Sequence, residues 1–196
     1  MPPYARIALL AATAVLLASP ASAHLDPVAH GSFAAGFTHP LSGIDHILAM
    51  VTVGVWAGLL GARARWLVPA AFVATMILGF VVAVAGIGLP IVEPVVLASI
   101  VVIGLLAAIA FPVPASAAAA MVAVFAVFHG HAHGGELGVA GAAPFGAGFA
   151  MATAMLHGAG LVICLALTST LGSKGRLATR AFAGAATVGG LALSLA

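Results

Sequence analysis

Residues 66–87 read WLVPAAFVATMILGFVVAVAGI, twenty-two positions without a charged side chain. At about 1.5 Å of rise per residue, a helix of this length crosses the roughly 30 Å hydrocarbon core of a bilayer. Working outward, the same character returns in residues 42–61, 91–111, 115–133, 146–171 and 177–195. The breaks carry turn chemistry: Gly61 to Arg65, Gly86-Ile-Gly-Leu-Pro90, Pro112-Val-Pro114, the glycine-rich run from Gly134 to Pro144, and Gly172-Ser-Lys-Gly175. Helices joined by loops this short pack as antiparallel neighbours. The sequence therefore predicts an all-α, polytopic membrane protein, one compact bundle of about six transmembrane helices forming a single domain over residues 24–196.

Composition agrees. Of the 196 residues, 64 % are hydrophobic and 5 % charged, too little polar surface for water to be the solvent. The six basic residues are Arg6, Arg63, Arg65, Lys174, Arg176 and Arg180, scattered so that no stripe can follow a nucleic-acid backbone. A single cysteine, Cys164, excludes an intramolecular disulfide and a cysteine-rich metal site. The 24 glycines and runs such as Ala115–Ala120 suit close helix packing in lipid, and a homo-oligomer is compatible with them.

Residues 1–23 carry a different message. Arg6 precedes the apolar run Ile7–Ala18, and Pro20 is followed by Ala21-Ser22-Ala23, a small-x-small cleavage pattern. This reads as a bacterial secretory signal peptide, cleaved to leave His24 at the mature N-terminus, where amine and imidazole form a chelating pair. An uncleaved first helix is the alternative. Orientation follows from Arg63 and Arg65 in the first loop and Lys174, Arg176 and Arg180 in the last, with no Lys or Arg between the other spans. Both basic loops are expected in the cytoplasm of a bacterial inner-membrane protein, which puts the mature N-terminus and the C-terminus in the periplasm. Residues 26–38 are apolar enough to form a short interfacial or re-entrant helix, which would change the count by one.

Ionisable groups are expensive at membrane depth and are functional candidates by default. Here they are mostly histidines, all eight on the expected outer side. In His39-Pro-Leu-Ser-Gly-Ile-Asp45-His46, Pro40 as the first helical residue would make His39 a cap. His39 and His46 would then lie near one face, with Asp45 a direct ligand or the acceptor that orients an imidazole. Met50 offers a thioether but reads more simply as apolar filler. His129-Gly-His131-Ala-His133 closes the fourth span, with His129 and His133 an i, i+4 pair and His131 an entry or relay ligand. His157 sits inside the fifth span, either a pathway ligand or a hydrogen-bonded core histidine. Glu93 enters the membrane at the start of the third span and can attract cations, whereas Glu136 reads as a solvated loop residue.

These residues resemble the HupE/UreJ family of nickel/cobalt permeases. The likeness rests on the signal ending in a histidine, on His39-Pro-x-x-Gly-x-Asp45-His46, on Phe128-His-Gly-His-Ala-His133 and on the small six-span architecture. It covers essentially the whole mature chain. It implies nickel uptake for hydrogenase or urease maturation, with His39, Asp45 and His46 important for transport. Imidazole with carboxylate suits Ni²⁺, Co²⁺, Cu²⁺ or Zn²⁺ rather than Mg²⁺ or Ca²⁺.

The reading is a secondary transporter, not an enzyme, with the lipid bilayer and a divalent ion as partners and no cofactor beyond the transported Ni²⁺ or Co²⁺. No Gly-x-x-x-x-Gly-Lys-Ser/Thr pattern occurs, and no ATPase subunit is evident from the chain. The alternative from another class is a membrane-bound metal sensor or metallochaperone that binds without translocating. An intramembrane di-iron hydroxylase ranks third, since it would want more ligands facing the cytoplasm.

Overall fold

The computed structural model describes residues 32–137 and 141–195. Among them the chain is all-helical, in seven helices: α1 (Phe33–Ser42), α2 (Ile44–Leu60), α3 (Ala64–Val84), α4 (Val92–Ala108), α5 (Ala115–Leu137), α6 (Ala142–Leu171) and α7 (Ser173–Ser194). The expected signal peptide, its cleavage site and His24 lie outside the described residues. Each of the six apolar stretches becomes one helix, α2 to α7. The segment read as interfacial or re-entrant contributes α1, capped by Ser32, whose hydroxyl accepts from the Ala35 N–H at 3.0 Å.

α1 and α2 are separated by Gly43 alone and bent by 86°. This corrects the expectation that Pro40 opens the first span. Pro40 lies in the last turn of α1, where its missing N–H and its ring weaken the helix and help to end it two residues later. α3, α5 and α6 are each long and apolar enough to cross a membrane, and the bent α1–α2 pair passes the same test taken together. α4 is a shorter apolar helix of 17 residues. The chain is a multi-pass helical membrane protein.

The exterior is greasy where a water-soluble bundle would be polar. Trp66, Leu78, Val81, Val124, Val162 and Val188 are all exposed, which is the surface lipid requires. Inside, Trp56, Phe72, Phe149, Met50 and Met76 are fully buried, so Met50 is core filler. α3 and α5 form the most extensive helix pair. Their backbones touch through glycine: a Cβ on Gly79 would strike the Val127 carbonyl, and one on Gly130 would strike the Met76 carbonyl. α2 and α6 meet the same way, Gly54 lying against the His157 carbonyl and Gly160 against that of Val51. These contacts fix the depth at which the histidines of α5 and α6 sit.

Candidate metal centre

Four helices, α1, α2, α4 and α5, bring polar groups to one end of the bundle. His46 is in the first turn of α2, and its Nδ1 lies 2.9 Å from Asp45 Oδ2. Its Nε2 lies 2.7 Å from His133 Nε2, and the far nitrogen of the His133 ring, Nδ1, lies 3.0 Å from Nε2 of His39 at the end of α1. One proton order satisfies all three contacts with neutral rings. Asp45 accepts from Nδ1–H of His46, which leaves its Nε2 lone pair to accept from Nε2–H of His133. Nδ1 of His133 then accepts from His39. Asp45 thus orders the tautomers of three imidazoles, as a carboxylate does for a metal-ligating histidine.

His129 stands one turn before His133 and is 1 % exposed. Its ring centroid lies 6.1 Å from that of His46, and its Nε2 is 2.9 Å from the hydroxyl of Ser99 on α4. Phe149 of α6 packs on the His133 ring at 4.8 Å, and Phe145 on His39 at 5.8 Å. Aromatic walls on one side and α3 on the other keep the cluster partly shielded, so its charge interactions act in a low dielectric.

The two sequence motifs therefore meet. His39, Asp45 and His46 join His129 and His133, but His39 and His46 do so from two helices set nearly at right angles, not from one helical face. His131 points elsewhere, as expected of a continuing helix. Its Nε2 faces the Ile87 carbonyl at 2.8 Å and the Leu89 N–H at 3.1 Å, tying α5 to the loop between α3 and α4. Glu93 is exposed in the first turn of α4 and lines a cavity of about 470 Å³ with Leu191 and Ser194 of α7, none of which belongs to the cluster. His157 is buried two turns beyond Phe149 on α6.

The profile of the family described as HupE / UreJ protein matches residues 11–193. The chain belongs to the HupE/UreJ family. A curated relative, "Protein HupE" of Rhizobium leguminosarum bv. viciae, is 43 % identical over 182 residues, which is 92 % of this chain and 93 % of that protein. No solved structure matches the chain. The HupE/UreJ match spans α1 to α6 and nearly all of α7, so the whole cluster falls within it.

Chemically, the cluster offers imidazole nitrogen and carboxylate oxygen and no thiolate, a donor set for a borderline divalent ion. The facing nitrogens of His39, His46 and His133 are engaged with one another. Among the described residues no three His, Cys, Asp or Glu side chains converge on one point in the manner of a ready metal cage. A cation entering must take the Nε2 lone pair of His46 from His133, exchanging a hydrogen bond for a coordinate bond. Ser99, Phe145 and Phe149 were not singled out from the sequence. Ser99 had a signal, being with Glu93 one of two polar side chains in α4; the phenylalanines had none.

Proposed function

We propose that this chain is a permease importing a divalent transition-metal ion, nickel first and cobalt second, across the bacterial inner membrane to supply hydrogenase or urease maturation. The observation that carries the reading is the meeting of His39, Asp45, His46, His129 and His133 at one end of a lipid-facing bundle, and family membership supports it. Following the basic-loop orientation, that end is periplasmic. His24 and His131 serve as capture ligands there, and Glu93 contributes negative charge to the same face. The ion then exchanges into the His46 site.

The driving force needs no ATP. A divalent ion moving inward down a negative-inside potential gains about 4.6 kcal/mol per 100 mV, from about 2.3 per elementary charge. The transported ion is a substrate, and the chain itself performs no bond chemistry.

The test is uptake of Ni²⁺ and Co²⁺, each against Zn²⁺ and Cu²⁺ in competition, by proteoliposomes holding the purified protein under an imposed potential. Uptake is expected for the wild type, and a fall of at least tenfold for His46→Ala and Asp45→Ala at equal protein. Tight binding without entry into the lumen would make the protein a membrane-bound sensor or metallochaperone instead. Wild-type uptake in both variants would remove these residues from the mechanism.

A further inference from the structure

Deeper than the cluster, the core holds polar atoms that the bundle leaves unsatisfied. His157 is 1 % exposed, and neither of its ring nitrogens has a hydrogen-bond partner. The hydroxyls of Thr52 on α2 and Thr153 on α6 are equally buried and unpartnered, as is Nδ1 of His129. A threonine inside a helix commonly returns its hydroxyl to a carbonyl one turn back, and Thr75, Thr168 and Thr179 all do so here. Thr52 and Thr153 do not. Buried polar atoms without partners are rare in native cores and require a reason.

Their placement supplies one. Thr153 precedes His157 by one helical turn, which sets both on one face of α6. Thr52, two residues before the Gly54 that rests on the His157 carbonyl, lies about 200° round α2 from it and so off the face that meets α6. Between this group and the outer cluster stands Phe72 of α3. Its ring centroid is 5.5 Å from that of His129 and, edge-on, 4.9 Å from that of His157. His157 also borders an open groove of about 490 Å³ between α3 and α6, which takes in Arg65 at the basic-loop end and the lipid-facing Trp66. His157 is therefore placed between the two ends of the bundle.

We propose that His157, with the hydroxyl of Thr153, is a second, inner station for the transported divalent cation, and that the Phe72 ring is the apolar barrier separating it from the outer histidine cluster. One imidazole and one hydroxyl bind such an ion weakly. Conduction needs a site the ion can leave. The barrier keeps the two stations from joining into one continuous wet path. The proposal rests on the permease reading and adds where the ion pauses after the cluster.

The experiment compares Ni²⁺ binding, Ni²⁺ uptake and thermal unfolding of the full-length protein. His157→Leu keeps the bulk and removes both unpaired nitrogens. It is expected to bind Ni²⁺ within twofold of wild type and to unfold at or above the wild-type temperature. Its uptake in proteoliposomes should nonetheless fall at least tenfold. Uptake at the wild-type rate, or a loss of uptake matched by a loss of binding, overturns the station. If the leucine variant does not fold, His157→Gln is read by uptake per bound ion. A fall of at least threefold is expected, and an unchanged ratio overturns the station. Phe72→Val, which thins the barrier, is expected to raise the rate of uptake at least threefold, and an unchanged rate in folded protein removes the barrier role. A wild-type protein that binds Ni²⁺ but admits none to the lumen overturns the permease reading, an outcome distinct from all of these.

Discussion

Adding one methyl group at Gly130 is expected to damage transport without touching a single candidate ligand. Gly130 lies between His129 and His131 on α5. A Cβ there would sit 2.7 Å from the carbonyl carbon of Met76 and 2.8 Å from the backbone nitrogen of Phe80. Ordinary contact begins at 3.4 Å and the Met76 carbonyl oxygen lies closer still, so α3 and α5 must draw apart by more than the roughly 0.7 Å that the carbonyl carbon alone would require, and both neighbouring groups are backbone and cannot turn aside. Overpacking of this kind costs about 1–3 kcal/mol. For a chain of this size that is a fall of about 2–12 °C in unfolding temperature. His133 rides on the same helix one turn on, and its contacts at 2.7 and 3.0 Å have little slack. A loss of about 1.4 kcal/mol in ion binding corresponds to roughly tenfold, and uptake should fall by about that factor. The assay is Ni²⁺ uptake by Gly130→Ala in proteoliposomes, beside its thermal unfolding in detergent. Wild-type values for both would refute the close approach of α3 and α5, and with it the placement of His129 and His133.

Two further outcomes follow from the cluster. Asp45→Asn keeps an oxygen for Nδ1 of His46 at 2.9 Å but removes the charge. A fall of about 10–100-fold in Ni²⁺ affinity is expected, read by titration of the purified protein, and a change of under twofold would mean that Asp45 does not tune the imidazoles. Ser99→Ala takes from His129 Nε2 its hydroxyl partner while Nδ1 is already unpaired. The expected loss is about 1–3 kcal/mol of stability, and an unfolding temperature equal to wild type would show that the serine does not hold the ring.

The helices were legible because lipid demands long apolar runs, and the loops because glycine and proline punctuate them. That is why residues 66–87 and α3 nearly coincide. The motif histidines were legible as costly groups at depth. What could not be read was direction. The spacing of His39 and His46 was interpreted on one continuous helix, and periodicity carries no information about a turn at Gly43. For the same reason the sequence paired His129 with His133 along their helix, whereas the packing sends His133 to His39 and His46, and His129 to Ser99. Glu93 read as a carboxylate entering the membrane to attract cations, and the structure puts it against α7, apart from the cluster. Such outcomes depend on which helices are neighbours, a matter of three-dimensional packing that a one-dimensional pattern does not encode.

The single residue between α1 and α2 has a mechanical meaning. Gly43 has φ −103° and ψ 125°, an extended conformation open to any residue. Glycine is needed there for room: a Cβ would lie 2.5 Å from Oδ1 of Asp45 and 3.2 Å from Nδ1 of His46. The smallest residue thus lets the carboxylate reach its imidazole, and leaves α1 joined to α2 by one pair of torsion angles. His39 sits four residues away, a lever of about 6 Å, so a swing of about 15° displaces it by about 1.5 Å. That is enough to detach it from His133. α1 does not hang on that joint alone: Gly36 rests on the Phe145 backbone and Gly148 on that of Phe33, so the position of His39 is set jointly by torsion at Gly43 and by packing on α6.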